Sequence, residues 1–329
     1  MKQWPDNAFL SGYYEPLTAE CMAQNLVVEG EIPRELNGTF YRNGPNPQFP
    51  PENEYHLFTG DGMIHAFNFE DGRVSYQNRW AQTERFKIER REGMSLFSGI
   101  NPLETDPRYL DFVLNDKEGV ANTSVVFHGD RLLLLEEGHL PFEMDADTLE
   151  SQGAWRFYGK LNTTMSAHPK IDPVNADMHF HAYMTAGPFT PDMGYYQVNA
   201  AGHMQESHHF QAPYSAMVHD MVVTENYVLF PVMPITGDLG RAMEGKPPFA
   251  WEPDKPTLVG VMPRSGTPDD IRWIEGDACY VFHFANGSDV EGVITVEACH
   301  FDSPPLFPMV DGTPTPANVH PSLARWTID

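Results

Sequence analysis

The stretch His65–Trp80, "HAFNFEDGRVSYQNRW", holds two strand-like runs around Asp71-Gly72, a dipeptide that favours the tight turn of a β-hairpin. The same plan returns along the chain. "SVVFHGDRLLLLEE" (Ser124–Glu137) repeats it around Gly129-Asp130, "GYYQVNAAGHMQESHHF" (Gly194–Phe210) and "MVVTENYVLF" (Met221–Phe230) repeat it again, and "CYVFHFANG" (Cys279–Gly287) begins a further strand. Long helical periodicity is nearly absent. Candidates such as "DLGRAMEG" (Asp238–Gly245) are short, and 29 prolines with 26 glycines punctuate the rest. Many short hairpins without alternating helices predict an all-β fold. At 329 residues a propeller fits better than one sandwich, because it repeats small sheets at about 40–50 residues per blade. No linker or low-complexity segment divides the chain, so a single domain over 1–329 is expected. The Pro-rich "RAMEGKPPFAWEPDKP" (Arg241–Pro256) reads as an excursion between strands.

Hydrophobic residues make up 41% of the chain, enough for a sizeable core. The formal net charge of −25 argues against nucleic acid, whose phosphates would repel it, and against docking on an anionic bilayer through basic residues. "MKQWPDNAFL" lacks the apolar core of a secretory signal, and no apolar run reaches the ~18 residues of a membrane helix. The three cysteines, Cys21, Cys279 and Cys299, are odd in number and far apart, which points to a reduced, cytoplasmic setting.

Among 14 histidines, three share a context beside strand signals: His168 in "TMSAHPKIDP", His219 in "SAMVHDMVVT" and His283 in "CYVFHFANG". Their separations of 51 and 64 residues are roughly one blade, or a blade with an insertion, so equivalent positions would converge on a propeller axis. Clustered neutral imidazoles suit Fe, Zn, Cu or Ni rather than Mg or Ca. There is no HExxH spacing, no Cys/His pattern of a closed zinc site and no GxSxG elbow. His179 and His181 alternate in "DMHFHAYM" and would share one face of a strand, while His208 and His209 would point to opposite faces. Each of these histidines can equally be a packed side chain.

The chain resembles the carotenoid cleavage oxygenases, a family that includes stilbene-cleaving dioxygenases. "EIPRELNGTFYRNGPNPQF" (Glu31–Phe49) resembles its N-terminal signature and "GDGMIHAFNFEDGRVSYQNRW" (Gly60–Trp80) the hairpin that follows. "AHPKIDP", "MVHDMVVTENYVLFP", "PPFAWEPDKPTLVGVMPR" and "VFHFANG" then come in the family's order, so the resemblance runs from about Asn7 to Asp329. It implies a seven-bladed β-propeller with short helical segments capping one face and a non-haem Fe(2+) held by histidines on the axis. His168, His219 and His283 match three of the family's four ligands. Glu137, in "LLLLEEGHLPFEM", matches a glutamate that supports a ligand, although Glu136 beside it leaves the register open. The fourth histidine and a Glu-Phe-Pro-Arg segment do not occur, and His300 and His320 stand in the wrong context to replace it. The expectation is a propeller incomplete at its C-terminus, a fragment or one part of a split protein.

The function implied is O2-dependent cleavage of a conjugated C=C bond into two carbonyl products, with O2 and an apolar small molecule as partners and no organic cofactor. In members that grip a phenol, a lysine precedes the supporting glutamate. Here that place holds Glu136, whose charge would repel a phenolate, which favours an apocarotenoid over a stilbene. Asp238–Trp251 borders the region where members touch membranes, or is a plain surface loop. The rival readings are a non-catalytic propeller without iron and a propeller hydrolase using Ca or Zn.

Overall fold

Three hairpin turns are left-handed at both central residues: Asp71 and Gly72 (φ 50° and 75°), Gly129 and Asp130 (56° and 58°), and Glu291 and Gly292 (50° and 87°). Such turns match the right-handed twist of the strands they join. The computed structural model describes residues 3–52, 55–97, 101, 103, 105–316 and 319–329. Strands dominate, and they fall into two compact units, Met1–Asn162 and Thr163–Asp329.

The first unit holds two four-stranded antiparallel sheets. One contains β1 (Met22–Ala23), β2 (Gly38–Pro45), β3 (Gly62–Glu70) and β4 (Arg73–Trp80), in the order β1-β4-β3-β2. The other runs in chain order through β5 (Ser124–His128), β6 (Arg131–Leu135), β7 (Phe142–Met144) and β8 (Ser151–Ala154). The leucine run of β6 is buried throughout, as suits an interior strand. Ile64, Ala66, Leu132, Leu134, Phe142 and Met144 pack the two sheets of this unit into one core. Helix α1 (Glu84–Glu92) follows β4. Thr83 caps its start, accepting from Phe86 N–H at 3.2 Å, and Gly93 ends it at φ 73°. Of its nine residues only Phe86 and Glu89 are buried, so little periodicity marks it in the sequence. A second short helix, α2, spans Leu110–Asn115.

The second unit opens with a four-stranded sheet, β9 (Lys170–Ile171), β10 (Met178–Tyr183), β11 (Asp192–Val198) and β12 (Met204–Gln211). β10 is interior and buried along its whole length. The next sheet begins with the hairpin β13 (Val222–Val223) and β14 (Tyr227–Val232). The chain then leaves it for a small side hairpin, β15 (Ile235–Gly237) and β16 (Phe249–Trp251), with helix α3 (Leu239–Met243) between. It returns with β17 (Thr257–Pro263), which pairs with β14, and β18 (Arg272–Gly276). The Pro-rich segment is thus an excursion within one sheet, as its composition predicts. β19 (Tyr280–Val290), β20 (Val293–Phe301) and β21 (Ser322–Ile328) form the last sheet. Val222, Leu229, Val259, Ile294 and Val296 form a core shared by the last two sheets. All three cysteines are free thiols, and among the described residues no helix is long and apolar enough to cross a membrane.

His179 and His181 lie on β10 and are both fully buried. Arg264 donates to His179 Nε2 at 3.1 Å, so the ring's proton sits on Nδ1, 2.7 Å from the Tyr195 hydroxyl. Burial first, and then the Arg264 charge, push this imidazole's pKa down to about 4. Above pH ~6.5 the ring is neutral folded or unfolded. As pH falls towards 4 the unfolded chain takes up a proton that the folded chain refuses, so stability drops across that window. We expect His179→Gln to flatten the pH dependence of urea unfolding between pH 6.5 and 4 by roughly 2 kcal/mol. An unchanged slope would count against this account of the ring.

Candidate metal centre

Three segments of the second unit deliver one histidine each. His168 lies in the loop two residues before β9, and His219 three residues before β13, at the mouth of its hairpin. His283 sits inside β19 at an irregularity: Val281 pairs with His300 but Phe284 with Ala298, so β19 carries one extra residue. Such a bulge re-aims a side chain out of the regular alternation.

The three rings converge. His168 Nε2 is 2.9 Å from His219 Nε2, which is 3.1 Å from His283 Nε2. Ring centroids are 4.5, 4.7 and 5.0 Å apart, and the three potential ligand atoms lie within 4.8 Å of one another. His219 is buried, His168 half-buried and His283 exposed, so the cluster is reachable from one side. Hydrogen bonding among the three Nε2 atoms is a poor explanation, since an imidazole nitrogen carries either one proton or one lone pair and His219 Nε2 faces two partners. A single cation accepts all three lone pairs.

Two of the three spacings are those of donors to one metal ion. For metal–nitrogen bonds of about 2.1 Å, donors at right angles stand about 3.0 Å apart, whereas donors at the tetrahedral angle stand about 3.4 Å apart. The observed 2.9 and 3.1 Å match the former. The donor set is therefore able to bind a metal.

The neighbouring histidines take other parts. His181 Nε2 donates to the Val218 carbonyl at 2.7 Å, steadying the backbone just before His219. His208 stacks parallel to Tyr195 and His209 meets Tyr196 edge-on, on opposite faces of β12 as alternation requires. His300 lies 3.4 Å from the Asp302 carboxylate. The Phe282 ring stands edge-on to His219 at 5.4 Å, with Phe301 and Phe307 at 6.2 and 6.5 Å from it. No sequence signal singles out these rings from core phenylalanines.

Glu137 belongs to the first unit and is half-buried just after β6. Glu136 is buried and accepts from Val120 N–H at 3.0 Å and from His139 Nδ1. Burial raises its pKa, but His139 and the Val120 N–H outweigh that and hold it below the usual carboxylate range. Glu136 is thus an ionised carboxylate paired with the His139 ring and the Val120 N–H.

Comparison with known proteins agrees with the resemblance. The family model described as retinal pigment epithelial membrane protein matches residues 14–329. An isoeugenol monooxygenase of Pseudomonas nitroreducens is 39% identical over 326 residues, covering 97% of this chain and 67% of the relative. A lignostilbene-alpha,beta-dioxygenase isozyme III of Sphingomonas paucimobilis is 37% identical, covering 100% of this chain and 68% of the relative. Among solved structures, the lignostilbene dioxygenase of Pseudomonas brassicacearum superposes with a TM-score of 0.93 at 38% identity, over 100% of this chain and 69% of that one. A cobalt-substituted Synechocystis ACO superposes with a TM-score of 0.81 at 28% identity, over 95% of this chain and 68% of that one. The chain thus spans about two thirds of the length of the proteins it matches, and its sheets are those of their propeller. With a family model matched over nearly all its residues and relatives above one third identity, the chain belongs to the carotenoid oxygenase family.

Proposed function

We propose that this chain carries the iron site of a non-haem dioxygenase that splits a conjugated carbon–carbon double bond with O2 into two carbonyl products. The observation that carries this reading is the approach of His168, His219 and His283, whose potential ligand atoms all lie within 4.8 Å of one another and whose Nε2 atoms stand 2.9 and 3.1 Å from that of His219. These three residues would hold Fe(2+), the metal the family resemblance implies, and imidazole donors suit it. Bound ferrous iron supplies the redox chemistry that lets O2 react with an alkene. The chain's own part is to present three neutral donors, which leave the cation's charge undiminished. Phe282, Phe301 and Phe307 offer an apolar, aromatic flank beside His219 for a flat conjugated substrate. The family resemblance gives Glu137 the part of a supporting carboxylate.

For the substrate we favour an aryl alkene of the isoeugenol or stilbene type, ahead of an apocarotenoid. Relatives at 37–39% identity are named for isoeugenol, lignostilbene and resveratrol, and the His139 ring and Val120 N–H pair with the Glu136 carboxylate. Free thiols support a reducing, cytoplasmic setting. Leu239 and Met243, exposed on α3, support a peripheral membrane contact.

The test is product mass spectrometry under ¹⁸O2 with aryl alkenes and apocarotenoids. We expect two labelled carbonyl products, formed fastest from the aryl alkenes. Carbonyls carrying only water-derived oxygen would contradict the reading.

A further inference from the structure

We infer that Asp220 is a positioning residue that ties the three histidine-bearing segments into one frame. The inference rests on the metal-binding reading of His168, His219 and His283. The Asp220 side chain is 1% exposed. A carboxylate so deeply buried needs donors to offset its lost hydration. It has three, and each comes from a different ligand segment. Lys170, two residues after His168, places Nζ 2.6 Å from Oδ1. Met221 N–H, on the segment of His219 itself, donates to Oδ1 at 2.8 Å. Phe284 N–H, directly after His283, donates to Oδ2 at 3.0 Å.

The third contact depends on the bulge of β19. The extra residue between Val281 and Phe284 that re-aims His283 also leaves Phe284 N–H turned towards Asp220. One carboxylate therefore reads the position of all three ligand segments. On the far side of His219 the backbone is held independently, by His181 on the Val218 carbonyl. Lys170 is 31% exposed and balances the buried charge from the solvent side. Groups that orient metal ligands typically contribute about 10–100-fold to metal affinity, and a carboxylate that couples three ligands belongs at the upper end.

The experiment is a Co(II) titration of the apo-chain, read by visible absorption and by competition with a chelator, with far-UV circular dichroism to check folding. We expect the wild-type chain to bind one Co(II). Asp220→Asn, which keeps the size but turns an amide donor towards Lys170 or Phe284 N–H, should weaken binding about 100-fold and shift the absorption band. Lys170→Met, at a partly exposed position that folding tolerates, should weaken it about 10-fold, and Lys170→Arg should restore most of the loss. Folded variants with wild-type affinity and spectrum would overturn the clamp alone. A wild-type chain that takes up no Co(II) would overturn the metal reading and the clamp with it.

Discussion

His219→Ala should remove the metal. Purified anaerobically and assayed by elemental analysis, the wild-type chain should carry one iron and the variant almost none. The expected loss of affinity is at least about 100-fold, because a direct ligand matters more than the outer groups that contribute about 10–100-fold. His219 Nε2 stands 2.9 Å from His168 Nε2 and 3.1 Å from His283 Nε2. It is also the buried member of the three. Double-bond cleavage should vanish with the iron while the fold survives. A variant that keeps stoichiometric iron would move the site elsewhere. Stoichiometric Zn or Ca in the wild-type chain would instead favour a hydrolytic propeller.

The second large effect concerns stability. Gly62→Ala should cost about 3 kcal/mol or more, the upper range for forcing atoms into a packed interior. A Cβ at Gly62 would lie 2.2 Å from the Ala121 carbonyl oxygen and 2.8 Å from that of Val120. Both obstacles are backbone, so no rotamer change relieves them. The same backbone is held in place by Gly62 N–H donating to the Val120 carbonyl at 2.8 Å. The clash would therefore part β3 from the segment leading into β5 within the first unit. Gly276→Ala is the control: no atom lies within 4 Å of its Cβ position, and a change within ~0.5 kcal/mol is expected. Equal urea midpoints for the two variants would show that the close approach at Gly62 does not constrain the fold.

How much of this was legible beforehand depends on where each signal is stored. The hairpins were legible because Asp71-Gly72 and Gly129-Asp130 carry their turn chemistry locally, and both adopt the positive φ that such turns need. The meeting of His168, His219 and His283 was legible through the motifs that flank them, and much less through spacing, which alone left several metals open. Helix α1 was hidden because seven of its nine residues are not buried, so the apolar stripe that betrays a helix is missing. The partners of Glu136 were not legible because a charge counted along the chain says nothing of the Val120 N–H and the His139 ring that fold back on it. Asp220 stood beside His219 in plain view, yet its role rests on Phe284 N–H, turned towards it by a bulge that has no sequence signature.

The most direct test of the central claim is anomalous diffraction at the iron edge from crystals of the chain grown anaerobically with Fe(II). One peak about 2.1 Å from Nε2 of each of His168, His219 and His283 is the predicted result. A peak on other residues, or rings too far apart to share one atom, would contradict it.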